Sequence, residues 1–90
     1  MKKVIITVIG KDTVGIIAKI CTYLAENSCN ILDISQTITG GYFNMMMVVD
    51  LTGTMKPFAE VREDLQKVGE EIGVRVHVQR EEIFEKMHRI

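Results

Sequence analysis

Residues 10–16, GKDTVGI, break an apolar run, VIITVIG, with two charges and a second glycine before the apolar pattern resumes. A glycine closing a β-branched run, then an acidic residue, then another glycine predict a tight corner between a strand and a helix. The first N–H groups of a helix have no partner within it and carry the positive end of its dipole, so such a corner can hold a carboxylate. Gly10 permits backbone angles closed to other residues, and Gly15 lets a ligand or another chain come close where a Cβ would obstruct it. Asp12 is open to two readings: it can receive an α-ammonium group, or it can simply cap the helix, the glycines then serving only the turn. Asn30 offers an amide donor and acceptor and tolerates left-handed geometry, which suits a ligand contact and equally the exit from a helix.

The other chemistry-bearing side chains assemble into nothing. Cys21 and Cys29, eight positions apart, have neither metal-ligand spacing nor the density of a disulfide scaffold, and read as reduced core thiols. His77 and His88 have no second imidazole or thiolate at helical or turn spacing, so no metal or other cofactor is expected. Met45, Met46 and Met47 are split by a strand onto opposite faces, which makes them core and interface rather than a soft-metal cluster. Asp33 and Ser35 read as the wet side of a strand. Nucleophilic catalysis needs a Ser or Cys, an imidazole and an orienting acid brought together, and these parts do not converge. The expectation is a chain that is not an enzyme.

A chain of 90 residues with 47% hydrophobic and 26% charged side chains can build one core, burying roughly 60% of its unfolded surface, and lies outside the composition of disorder. Eleven basic against twelve acidic residues leave a formal charge of -1, with no global field toward nucleic acid or an anionic membrane. The apolar stretch after MKK is too short for a signal peptide, and no run approaches the ~20 apolar residues of a bilayer span. A cytoplasmic protein with neither membrane nor nucleic-acid partner is expected.

Periodicity supplies the elements that must position the corner. Residues 3–9, KVIITVI, suit a central strand. Across residues 13–28, Ile17, Ile20, Cys21, Leu24 and Ser28 recur at helical steps, with Asp12 or Thr13 as the cap. NILDISQTIT alternates Leu32, Ile34 and Ile38 against Asp33, Ser35, Thr37 and Thr39, the period of a strand with one wet face. Gly40 and Gly41 supply a tight hairpin turn into YFNMMMVVDL, whose Phe43, Met45, Met47, Val49 and Leu51 share a face. Pro57 suits the first turn of a helix in which Phe58, Val61, Leu65, Val68 and Ile72 repeat, and Gly73 stops it. Val74, Val76 and Val78 form the last strand.

The order β-α-β-β-α-β predicts an α+β, ferredoxin-like sandwich: a four-stranded antiparallel sheet with both helices on one face. Its other face, with Tyr42, Asn44, Met46, Val48 and Asp50, is too apolar to leave in water, so a partner is expected to cover it or extend the sheet edge, most simply a second copy. The tail, residues 81–90, carries Ile83, Phe84, Met87 and Ile90 on one side and is expected to dock, on this chain or another. Acylphosphatases share this topology but hold phosphate with an arginine in the first corner, where this chain has Lys11 and Asp12. RNA-recognition motifs stack bases on strand aromatics, where this chain has methionine.

VIITVIGKDTVGIIAKICTYLAENSCNILDISQTI, with its G-x-D-x-x-G-I corner and N-I-x-D-I-S strand start, resembles the first half of an ACT domain, a regulatory ligand-binding module fused to amino-acid metabolic enzymes or free-standing. Length and tail are similar to a small stand-alone, UPF0237-like group and to glycine-cleavage-repressor-type regulators. The resemblance implies a single domain over residues 1–90 that forms a homodimer or higher homo-oligomer and binds a small amino acid or related metabolite between two chains. It places Gly10, Lys11, Asp12, Thr13, Val14, Gly15 and Ile16 at the corner of one chain, facing Asn30 and Ile31 of its neighbour. Val14 stands where relatives often have proline, which loosens the corner. The alternative is a protein-interaction module that uses the open sheet face and the tail without a metabolite.

Overall fold

The structure is a computed structural model that describes residues 2–11 and 15–82. Its elements are β1 (Lys3–Lys11), α1 (Ile16–Glu26), β2 (Asn30–Thr39), β3 (Tyr42–Asp50), α2 (Phe58–Ile72) and β4 (Val74–Arg80). The strands form one antiparallel sheet in the order β2-β3-β1-β4, the ferredoxin-like arrangement the sequence pattern predicts. The tail expected to dock lies, from residue 83 on, outside the described residues.

The register explains the core. Val4, Ile6 and Val8 of central β1 pair across to Val49, Met47 and Met45 of β3, while Ile6 and Val8 also face Val78 and Val76 of β4. Alternate residues of a strand point to one side, so these apolar side chains share a face, on which Ile16, Ile20 and Leu24 of α1 and Val61 and Leu65 of α2 pack. Cys29 is buried and Cys21 half-buried, both as free thiols, and burial pushes the Cys29 thiol up. Gly40 and Gly41 both take positive φ, 58° and 83°, the requirement of the two-residue hairpin.

Three boundaries and one interior position differ from the periodic reading. Helix α1 begins at Ile16 with Gly15 at its N-cap, a residue with no side chain to close the start, and Asp12 and Thr13, the caps expected from the sequence, lie outside the described residues. At the other end Ser28 has left the helix with φ 58° and is exposed. Pro57 sits before the first turn of α2, in extended geometry at ψ 159°. Gly69 joins Val61 and Leu65 on the buried stripe of α2, a place the apolar count passes over because glycine has no side chain to count.

β2 departs most. Its span is as expected, but Ile34 and Ile38 remain 43% and 59% exposed although they pair with Met47 and Phe43 and so lie on the helix-bearing face. β2 is the sheet edge, and neither helix reaches across to cover it. A bulge between Ile31 and Asp33 leaves Leu32 outside the paired register, which shifts the alternation by one. On the open face, Ile5 is buried and Val48 half-buried, while Ile9, Tyr42 and Met46 are exposed.

A polar clamp joins the two helices. The Tyr23 hydroxyl donates to Asp64 Oδ2 at 2.6 Å, and Lys56 Nζ donates to the same oxygen at 2.8 Å. Lys56 and then Tyr23 hold the Asp64 carboxyl below its ordinary range, while burial and the bond to Asp64 push the Tyr23 phenol up. Tyr23→Phe is expected to lower unfolding free energy by about 1 kcal/mol, the net worth of one part-exposed hydrogen bond to a charged group. A group whose carboxyl pKa is depressed by folding stabilises above its unfolded value, near ~4, and loses that contribution as pH falls through the folded value. Melting temperature followed from neutral to acid pH should therefore drop less steeply in Asp64→Asn than in the parent.

Candidate functional site

The corner after β1 is built on two glycines with different reasons. Gly10 lies inside β1, opposite Phe43 on one side and Val74 on the other. A Cβ there would stand 2.7 Å from Val74 Cγ1 and 3.0 Å from the Val74 Cα, so its value is room for β4. The expectation of unusual backbone angles belongs to Gly15 instead, which takes φ 93°, a region that side-chain-bearing residues rarely adopt. A Cβ on Gly15 would meet no described residue other than its chain neighbours within 4 Å. Among the described residues, then, nothing but its chain neighbours crowds Gly15, and its backbone conformation is what requires glycine.

From Gly15 the chain turns directly into α1. Its carbonyl accepts from the Lys19 N–H at 3.0 Å, and no acidic residue lies in the first turn. The helix start therefore presents its dipole without a carboxylate from its own first turn. Ile16 is buried in the core, so its backbone, rather than its side chain, is what it offers at the corner. Lys11 ends β1, exposed. Asp12, Thr13 and Val14, expected at the heart of the corner, lie outside the described residues.

Asn30 and Ile31 are at the other end of the sheet. Asn30 pairs with Asp50 of β3, and Asp50 pairs with Lys3, the first residue of β1, whereas Gly10 pairs with Phe43. The separation along β1 is seven residues, about 23 Å at the usual strand rise. Asn30 is exposed, and Ile31 is half-buried against the core. One chain does not bring the two walls together.

Two hollows had no sequence signal. A cavity of about 750 Å³ lies at the sheet end where Lys3 starts β1, lined among others by Leu51, Phe58 and Arg80. A shallower one of about 220 Å³ lies on the open face around Thr7, Ile9, Thr37 and Met46. Both collect residues far apart in the chain, which no local motif records. Among the described residues no three His, Cys, Asp or Glu side chains stand together as metal ligands, and no helix is long and apolar enough to cross a membrane.

The family model of the ACT domain matches residues 2–79. A UPF0237 protein of Bifidobacterium longum is 60% identical over 90 residues, 100% of both chains. Among solved structures, an ACT domain protein from Streptococcus pneumoniae superimposes with a TM-score of 0.81 at 40% identity, over 93% of this chain and 94% of that one. The regulatory subunit of aspartate kinase from Thermus thermophilus gives a TM-score of 0.67 at 29% identity, with 87% of this chain covering 50% of that one.

Proposed function

The chain belongs to the ACT domain family, and from that premise we propose that it is a cytoplasmic, non-catalytic regulatory module that dimerises and binds a small amino acid or related metabolite between subunits. The observation that carries the reading is Gly15: a left-handed glycine at the dipole-positive start of α1, with no described residue beyond its chain neighbours within 4 Å of the place a side chain would take. Such a bend offers N–H donors to a carboxylate at the distance a Cβ would deny. Asn30 and Ile31, at the opposite sheet end of the same chain, reach it from a second copy. A solved structural neighbour that is a regulatory subunit of aspartate kinase supports a regulatory role. A ligand gripping two chains favours the arrangement in which both walls meet, by as much as its preference for that arrangement and no more.

Isothermal titration of the common amino acids into the protein tests this. We expect saturable heat with at least one of them, none in Gly15→Leu, and an affinity about tenfold lower in Asp12→Ala, as for the loss of one charge-assisted contact. Circular dichroism of each variant separates lost binding from lost fold. Sedimentation of the parent should give a dimer or larger species, and a strict monomer with no heat from any amino acid sinks the proposal.

A second reading is a protein-docking module. It is favoured by the exposed Ile9, Tyr42 and Met46 on the open face, whose contiguity across neighbouring strands suits a macromolecular partner. It predicts a stoichiometric partner whose capture survives Gly15→Leu.

A further inference from the structure

The 750 Å³ cavity at the far end of the sheet has its own chemistry. Its apolar floor comes from Leu51, Pro57 and Phe58, and its cations from Lys2, Lys3 and Arg80, supplied by the start of β1, the turn after β3, the start of α2 and the end of β4. The Phe58 ring is approached by two guanidinium groups, Arg80 at 4.9 Å and Arg62 at 5.7 Å from its centre. Among the described residues, Lys2, Lys3, Arg62 and Arg80 form no ion pair with a carboxylate. Lys56, which also lines the cavity, is by contrast committed to Asp64 at 2.8 Å and Glu60 at 4.0 Å. Glu81 and Glu82 also line the cavity, and their two carboxylates leave Lys2, Lys3 and Arg80 in excess by one, with Arg62 at the Phe58 ring adding a further cation nearby.

We propose that this cavity is a second binding site, separate from the Gly15 corner, for a small organic anion with an apolar body, such as an aryl or alkyl phosphate or carboxylate. Cations that outnumber the carboxylates around a concave apolar surface favour an anion, because an uncharged occupant would take water from them and give nothing back. A bare inorganic anion would forgo contact with Leu51, Pro57 and Phe58, which reward apolar area. Arg80 serves both parts, its guanidinium lying 4.9 Å from the centre of the Phe58 ring and its N–H groups able to donate to an oxyanion. Within one chain the site lies about 23 Å along β1 from the corner, and it is told apart from the metabolite reading by its own lining residues, Lys3, Phe58 and Arg80.

Amide chemical shifts of the full-length protein, titrated with phenyl phosphate, inorganic phosphate and benzyl alcohol, test the proposal. Phenyl phosphate is expected to give saturable shifts at Lys3, Leu51 and Phe58, with affinity at least about tenfold above either other probe. Arg80→Gln and Lys3→Gln should each weaken phenyl phosphate about fivefold or more, and Gly15→Leu should leave it unchanged. If Arg80→Gln melts early, Lys3→Gln carries the test alone. The proposal is overturned by absence of saturation up to about 20 mM phenyl phosphate, by benzyl alcohol binding as tightly as its charged counterpart, or by shifts confined to Gly15 and the first turn of α1.

Discussion

Ile6→Ala should lower the unfolding free energy by about 3–4 kcal/mol, the cost of a large-to-small change at a site that cannot collapse. Ile6 is 0% exposed at the middle of β1, the strand that carries both ladders, and it faces Met47 on one side and Val78 on the other. The void therefore opens between three strands and the helices above them, where none can close in without breaking register. Against a total of about 5–15 kcal/mol for a domain of this kind, the loss should appear as a large fall in the urea midpoint at unchanged slope. Ile9→Ala is the internal control. It sits three residues along the same strand but on the open face, 47% exposed, and should cost less than about 1 kcal/mol in the isolated chain. A loss of that size for Ile6 would contradict the sidedness of the sheet. A large, concentration-dependent loss for Ile9 would instead reveal a partner chain on the open face.

Strand periodicity puts those two isoleucines on opposite sides, although a run apolar on both faces does not say which side is the core. The same logic gave the hairpin at Gly40 and Gly41, the stripe of α2 and the stop at Gly73, where each signal is local to one element. What periodicity omits is whether anything lies above a side. Ile34 and Ile38 alternate as a buried row should, yet β2 is the edge strand and the helices stop short of it. The Tyr23, Asp64 and Lys56 clamp was invisible for another reason: Tyr23 and Asp64 are 41 residues apart, and polar side chains on two helix surfaces carry no sign of which will meet.

The corner divides the same way. Gly15 requires glycine for its positive φ, whereas the sequence pattern puts the unusual angles at Gly10 and the close approach at Gly15. Gly10 was assigned an angular reason when its real constraint is Val74, contributed by a strand 64 positions later. The separation of Asn30 from the corner follows from antiparallel topology alone: β2 starts where β1 starts, because β3 pairs antiparallel with both. A site using both walls must then be intermolecular, which makes assembly and binding one question.

Gly69→Ala should destabilise the protein by about 2 kcal/mol, reversing the usual sign for a glycine inside a helix. In an exposed helix that substitution gains about 1 kcal/mol, since alanine restricts the unfolded backbone and favours the helix. Here α2 lies on β4 so closely that a Cβ at Gly69 would stand 2.6 Å from Val76 Cγ2 and 2.9 Å from the Val74 carbonyl oxygen. The first atom ends a side chain; the second is strand backbone held by pairing with Gly10 of β1, so relief requires lifting the helix. Overpacking of this kind costs about 1–3 kcal/mol or more, enough to outweigh the propensity gain. A double-mutant cycle with Val76→Ala separates the parts, because removing Cγ2 relieves one overlap and leaves the other. The double variant should be more stable than the sum of the single losses allows by about 1 kcal/mol, within the range for residues in contact. Stabilisation by Gly69→Ala alone would mean that α2 stands further from β4 than this structure places it.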